Sequence, residues 1–467
     1  MFYPVRYEIP YQNPIFFLSL TAKYPGTVLL DSTSVIPHCG RYSFIAIDPF
    51  QILSSKGDQI ELKGKKWIGD PFQVLQQELS KFPLSCHEME IPFQGGAAGY
   101  FGYDLYQHLE KIDAKQHDDM QFPDMVVGFY DLVVAFDHIK KQAWIFSSGF
   151  PLTEEIARKK HAEERCQWLV SEFTKMTALP ALSMSAIKNE MIESNFTREK
   201  YIEAVETVKE YILAGDIFEA NISQRFSALL PSSISTLDLY RRLCMFNPAP
   251  FSAYLVFDGV TVISASPERF LKLTNGRVET RPIKGTRRRD KNAIEDSRLA
   301  QELLASEKDY AENIMIVDLL RNDLSRVCRD FSVKVPELCS LESYATVHHL
   351  VSVVIGELRE SFNAIDLLRA TFPGGSVTGA PKIRAMEIIA EIEPTQRGPY
   401  CGSVGYIGFN GDMDLSITIR TFCVKNQTVI FQAGGAIVVD SNPLNEYEET
   451  LTKANALRRT LCESIVD

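Results

Sequence analysis

The chain has 467 residues, 45% of them hydrophobic, enough to bury a large core and to fill two or three domains. Its net charge of −11 argues against nucleic acid or an anionic membrane as the main partner, and no apolar run approaches a membrane span. Nine cysteines are dispersed, odd in number and without a CxxC pair, which excludes a zinc ribbon or a disulfide framework and predicts a reducing, cytoplasmic setting.

Met1–Glu8 has no basic segment followed by an apolar core, so no leader is read there. Residues 1–175 mix short strands with Gly/Pro turns. Met125–Phe136 and Gln142–Ser147 are predicted to form a strand pair, and Ile156–Thr174 an amphipathic helix. Periodicity is lost over Thr177–Ser194, around Pro180, which makes this stretch the linker to a second region, 195–467. Strands and helices do not alternate regularly, so the sequence predicts an α+β fold with antiparallel sheets. No strand–GxGxxG–helix and no GxxxxGK[ST] is present. Gly374–Lys382 is like a phosphate loop only superficially.

The second region opens its chemistry with two hairpins. Phe251–Phe257 and Thr261–Ser266 are joined by Asp258-Gly259, and Phe270–Thr274 and Arg277–Pro282 by Asn275-Gly276. Pro282-Ile283-Lys284-Gly285-Thr286 follows and places a lysine where a strand should end. In an antiparallel meander, alternate strands finish at the same edge. The turn Ser266-Pro267-Glu268-Arg269 is therefore expected beside the turn carrying Lys284. Such a pair could be a general acid and a nucleophile, or simply a surface salt bridge of little energetic weight. A lysine in a turn would contribute little to stability. Arg287-Arg288-Arg289, followed by Asp290, reads as a solvated turn.

Ser306-Glu307-Lys308-Asp309 fits a loose capping box opening a helix through Asp323, on which Asp309 and Glu312 share a face. Asn442-Pro443 supplies an N-cap and a first-turn proline to a helix that sets Glu446, Glu449 and Lys453 within a narrow arc. Four carboxylates on two helix faces could hold a hard cation, and without clustered histidine Mg²⁺ suits them better than zinc. Each face could equally be solvated.

Together these residues resemble the chorismate-utilising enzyme family over nearly the whole chain. The motifs are SPERF at 266–270, PIKGT at 282–286, AENIMIVDLLRNDL at 311–324, HLVS at 349–352, GAPKIRAMEII at 379–389, TIRT at 418–421 and DSNPLNEYEETLTKA at 440–454. Leu29-Leu30-Asp31-Ser32 and Arg41-Tyr42-Ser43-Phe44 resemble the N-terminal region of its component I members. The resemblance implies an α+β fold with large antiparallel β-sheets in a sandwich-like core flanked by helices, the two regions packed into one compact unit. Anthranilate synthases typically read PIAGT here, whereas aminodeoxychorismate synthases carry PIKGT, so Lys284 points to amination of chorismate at C4.

On that resemblance Lys284 attacks C2, Glu268 in its protonated form assists loss of the C4 hydroxyl, and His349 lies near the departing group. Burial and nearby positive charge, from Mg²⁺ or Arg287, are expected to depress the Lys284 pKa. Glu312 and Glu449 are implied as direct Mg²⁺ ligands, with Asp309 and Glu446 acting through water. Arg420 and Tyr400 are implied to bind the enolpyruvyl carboxylate, with Gly285, Thr286, Ser376, Gly435, Ala436 and Lys453 as further substrate contacts. Ala436 stands where relatives usually have glycine, acceptable only at negative φ. His348 is read as structural. In some relatives the N-terminal region holds tryptophan. The corresponding pocket here would be Leu30, Asp31, Ser32, Asn247, Pro248, Pro250 and Phe251.

No G-x-C-x-G elbow is present, the nearest text being Pro399-Tyr400-Cys401-Gly402-Ser403, so a separate glutamine amidotransferase subunit is expected to supply ammonia. The alternatives are an anthranilate synthase component I, disfavoured by Lys284, and a silent binding or regulatory protein on the same fold, disfavoured by the intact acids, Lys284, His349 and Arg420.

Overall fold

The structure is a computed structural model describing residues 3–20, 24–36, 38–86, 91–113, 116–175, 179, 181–183, 185–344 and 347–463. Among the described residues two twelve-stranded antiparallel sheets stack face to face, and each draws strands from both parts of the chain. In the first, Val28–Asp31 pairs with Phe251–Phe257, Leu30 opposite Ala253. In the second, Gly96–Phe101 pairs with Ser403–Gly408, Gly99 opposite Gly405. Alternation along the strands sends one set of apolar side chains between the sheets, including Val28, Phe44, Tyr100, Val126, Leu255 and Val404.

Helices cover the outer faces. Glu155–Thr174, Thr236–Phe246 and Pro443–Cys462 bury Leu169, Leu243 and Leu457 on the first sheet. Pro71–Ser80, Glu307–Ser325 and Ala364–Thr371 bury Phe72, Leu320 and Leu368 on the second. Both N-caps read from the sequence form: Ser306 accepts from the Asp309 N–H, without the return bond of a capping box, and Asn442 accepts from Leu444 and Asn445, with Pro443 in the first turn. Among the described residues no helix is long and apolar enough to cross a membrane. Met1, Phe2, Thr177 and Pro180 lie outside the described residues.

Two expectations are corrected. Met125–Phe136 is not one strand. It divides into Met125–Tyr130 in the second sheet and Leu132–Asp137 in the first, and only the latter pairs with Gln142–Ser147. The break is Asp131, buried and held by Arg165 at 3.1 Å, a cost no apolar run reveals. Both hairpins of the second region also form, with Asn275 and Gly276 at φ 50° and 78° as a two-residue turn requires. They lie in different sheets, however, because the chain crosses over at Ser266–Arg269. Lys284 is not in a turn either. Ile283–Arg288 continues the register of Arg277–Thr280 along Val347–Glu357, Thr280 opposite Val354 and Ile283 opposite Val351. A bulge between Lys284 and Thr286 uses Gly285 at φ 78°.

Candidate active site

A cavity of about 690 Å³ is walled by the strands Glu219–Leu229, Ile283–Arg288 and Thr428–Ile437, the crossover at Glu268, and the helices Glu307–Ser325 and Pro443–Cys462. Period-two alternation sets Glu219 and Asn221 on one face of their strand. Asn221 lines the cavity, and Glu219 lies behind it, fully buried. Lys284 stands between, 8% exposed, its Nζ donating to Glu219 Oε1 at 2.9 Å.

The charge on Lys284 is opposite to expectation. Burial pulls its pKa down, but Glu219 and Glu312 hold the proton on, and the net shift is upward. Arg287 does not intervene, being paired with Glu302 at 2.9 Å and Asp309 at 3.3 Å. Glu268 faces the same cavity. Burial pushes its carboxyl up to about 7, against the opposing pull of the Ser376 hydroxyl, the Lys284 charge and the Ile283 N–H. A carboxyl that holds its proton up to about pH 7 and a lysine thus meet in one cavity, one from the crossover between the sheets and the other from a strand of the second sheet.

His349 sits opposite Thr286 in register, and its Nδ1 meets the Thr286 hydroxyl at 2.8 Å. Burial pushes its pKa down to about 4, so the ring is neutral near pH 7. Its neighbour His348 is occupied by Asp296 at 3.0 Å and Ser343 at 2.8 Å, away from the cavity lining. Arg420 and Tyr400 share one wall. Among the described residues the Arg420 guanidinium has no ion pair, and burial pulls its pKa down. An uncompensated guanidinium in a recessed wall is costly unless an anionic ligand completes it.

Ser376, Gly285, Thr286, Ala436 and Lys453 also line the cavity. Ala436 lies in the extended strand Thr428–Ile437 and is not among the residues at positive φ, so the alanine is compatible with its backbone. Lys453 is anchored to Glu449 at 2.7 Å and to the Gly434 carbonyl at 2.9 Å. Gly435 lies just behind the lining. A Cβ there would come within 3.3 Å of Glu446 Oε2 and 3.6 Å of Glu449 Oε1.

The four carboxylates named for a metal gather on one side. Asp309, Glu312 and Glu449 line the cavity, and Glu446 is tucked behind, accepting from Ser441 at 2.7 Å. Among the described residues no three of these acids already converge into a ready site. Their chemistry nevertheless fits a hard cation. Burial pushes Glu312 up to about 7, its Oε1 is buried without a hydrogen-bond partner, and the Lys308 ammonium reaches in to 3.5 Å from Glu446 and 3.8 Å from Glu312.

The residues proposed for an N-terminal pocket are divided. Leu30, Asp31, Ser32, Pro250 and Phe251 line a second cavity of about 370 Å³ shared with Arg269 and Asp414. Asn247 and Pro248 instead line a smaller cleft with His349 and Arg420, and Pro250 borders both.

Sequence reasoning missed Glu219, Asn221, Gln432, Lys308 and the buried Arg397–Glu393 pair. Arg397 donates to Glu393, Val377 O and Asn221 O, and its own carbonyl accepts from Gln432, so one residue ties together four segments beneath the cavity. An acid at the head of the Glu219–Leu229 strand was the only local signal for Glu219.

Known proteins place the chain in a family. The profile of a family described as chorismate binding enzyme matches residues 38–459. The chain is 41% identical over 452 residues to Escherichia coli aminodeoxychorismate synthase component 1, covering 96% of this chain and 95% of that protein. It is 39% identical over 459 residues to Aquifex aeolicus anthranilate synthase component 1, covering 95% and 91%. The solved structure of anthranilate synthase component I from Streptococcus pneumoniae superposes with a TM-score of 0.80 at 36% identity, covering 91% of this chain and 93% of that one.

Proposed function

The chain belongs to the chorismate-binding enzyme family, and on that premise we propose that it converts chorismate and ammonia to 4-amino-4-deoxychorismate, feeding 4-aminobenzoate and folate synthesis. The observation that carries this reading is Lys284, an amine facing the same cavity as Glu268, whose carboxyl burial raises to about 7. Lys284 Nζ attacks C2, Glu268 gives its proton to the leaving C4 hydroxyl, and ammonia then enters at C4 and expels the lysine. Neutral His349 borders the leaving group and can donate or accept a hydrogen bond without adding charge. The Arg420 fork and Tyr400 hold the enolpyruvyl carboxylate, and Ser376 fixes the Glu268 carboxyl.

Glu312 and Glu449 would hold Mg²⁺, with Asp309 and Glu446 supporting it through water. Bound there, the ion would grip the ring carboxylate and fix its orientation. Ammonia would come from a separate glutamine amidotransferase subunit. The cavity at Leu30, Asp31, Ser32, Pro250 and Phe251 is our candidate tryptophan pocket.

Incubating the purified chain with chorismate, Mg²⁺ and ammonium and identifying the product tests the reading. 4-Amino-4-deoxychorismate is expected. Anthranilate would make the anthranilate synthase alternative correct.

A further inference from the structure

Lys284 can attack only as a neutral amine, yet the structure holds it in an ion pair deep in the protein. Its proton must therefore leave before each attack and return after each release. Glu219 is the one carboxylate within ion-pair distance among the described residues, its Oε1 2.9 Å from Nζ. Its side chain is fully buried, and its Oε2 has no hydrogen-bond partner among the described residues. Lys284 separates it from the cavity, so a proton passed to it is kept from water.

The backbone around Glu219 is fixed. It pairs with Ala380 in register, and the preceding Phe218 N–H donates to the Ala380 carbonyl at 2.7 Å. Gly379, at φ 150°, packs so closely that a Cβ there would lie 2.1 Å from the Glu219 carbonyl oxygen.

We propose that Glu219 is a catalytic residue, the base that takes the Lys284 proton for attack on chorismate and returns it when the lysine is expelled. This rests on the reading of Lys284 as nucleophile. The proton count closes. Nζ passes one proton to Glu219, then forms the bond to C2 as the ring double bonds shift and the C4–O bond breaks, the hydroxyl leaving as water with the Glu268 proton. Ammonia bonds to C4, the double bonds shift back, and the C2–N bond breaks with its electron pair going to Nζ. The neutral amine recovers its proton from Glu219, and the Glu268 carboxylate takes one from the new C4 ammonium. Chorismate and ammonia have become the amine and water, with every protein group as it began.

Other charges bear on the lysine. Glu312 from its helix and Glu268 from the crossover both favour its protonated form, and the Lys284 charge helps to lower Glu449. None of these three is within ion-pair distance of Nζ.

The test is formation of the Lys284–substrate adduct from chorismate and Mg²⁺ without ammonia, followed by intact-mass spectrometry in the full chain. Wild type should form the adduct and K284A should not. Absence of any wild-type adduct overturns the nucleophile and the base together. Given that adduct, Glu219→Gln should form it about 10²–10⁴-fold more slowly at pH 7. Below about pH 7, where Glu268 keeps its proton, its rate should rise tenfold per pH unit, because solvent hydroxide must take the Lys284 proton. A wild-type or faster rate in E219Q overturns the base alone, since a carboxylate that merely kept Lys284 charged would slow attack. Glu219→Asp covers the case in which E219Q does not fold. It should slow adduct formation about tenfold with unchanged chorismate affinity, and a wild-type rate there would also overturn the proposal.

Discussion

Lys284 and Glu219, 65 residues apart in sequence, form a buried ion pair 2.9 Å long beneath the main cavity. The lysine therefore matters to the fold as well as to chemistry, unlike a lysine in a turn. Lys284→Ala leaves a carboxylate buried without its partner and should destabilise the chain by about 3–5 kcal/mol at neutral pH. The double variant K284A/E219Q should recover most of that loss. Urea unfolding of the two variants beside wild type measures both effects.

Glu268 and His349 set opposite pH trends. The Glu268 carboxyl is raised from 4.5 to about 7, so its contribution to stability is full below about 4.5 and is lost as pH rises through about 7. His349 is lowered from 6.5 to about 4, so its contribution is full above about 6.5 and is lost as pH falls towards about 4. Because the protonated Glu268 is the useful form, adduct formation should decline as pH rises through about 7. Glu268→Gln should remove that limb and lower the rate about 10²–10⁴-fold. A stopped-flow pH profile of both proteins decides the matter. An unchanged alkaline limb in E268Q would assign it to another group.

Arg420 offers a test of substrate binding. Arg420→Lys keeps a positive charge but loses the planar fork, and burial would strip the amine of its proton more readily than the guanidinium. KM for chorismate should rise at least tenfold, with kcat changing less. Steady-state kinetics at fixed ammonium read this out, and an unchanged KM would place the enolpyruvyl carboxylate elsewhere.

The acidic cluster should respond to metal. Excess chelator should abolish turnover and added Mg²⁺ restore it. Glu312→Gln and Glu449→Gln should each raise the Mg²⁺ concentration for half-maximal activity at least tenfold. Full activity in chelator would sink the metal reading.

Ammonium alone should support turnover, whereas glutamine should require a second protein. Burial pushes the Cys401 thiol, in the segment nearest to an elbow, up to about 12, which leaves it without thiolate at neutral pH. Glutamine turnover by this chain alone would show that one of its cysteines has been misjudged.

What the sequence disclosed was local. The Asn275-Gly276 hairpin, the Ser306 N-cap and the Asn442-Pro443 helix start are each fixed by residues within one turn, and each formed, the Ser306 cap without its return bond. Motif by motif, the cavity residues Lys284, Glu268, His349, Tyr400 and Arg420 were legible too. What stayed hidden depends on partners far along the chain. An apolar run does not show that Met125–Tyr130 and Leu132–Asp137 belong to different sheets. Nothing near Lys284 announces Glu219, and so the sign of its pKa shift came out reversed. The Arg397 guanidinium finds Asn221 O only because two strands and a helix end meet beneath the cavity.

The pairing of Gly96–Phe101 with Ser403–Gly408 bears on how the chain is born. Synthesis runs from the N-terminus at about 5–20 residues per second, so roughly 15–60 s pass before the second strand can reach the first. Throughout that interval Gly96–Phe101 presents an unpaired edge, made of Gly-Ala-Ala-Gly-Tyr-Phe with no charge to repel another strand. The Val28–Asp31 edge likewise waits for Phe251–Phe257. Nascent chains on one polysome therefore offer each other matching edges before either can close its own sheets. The yield of active protein should depend on chaperone capacity and on the spacing between ribosomes far more than the stability of the finished fold would suggest.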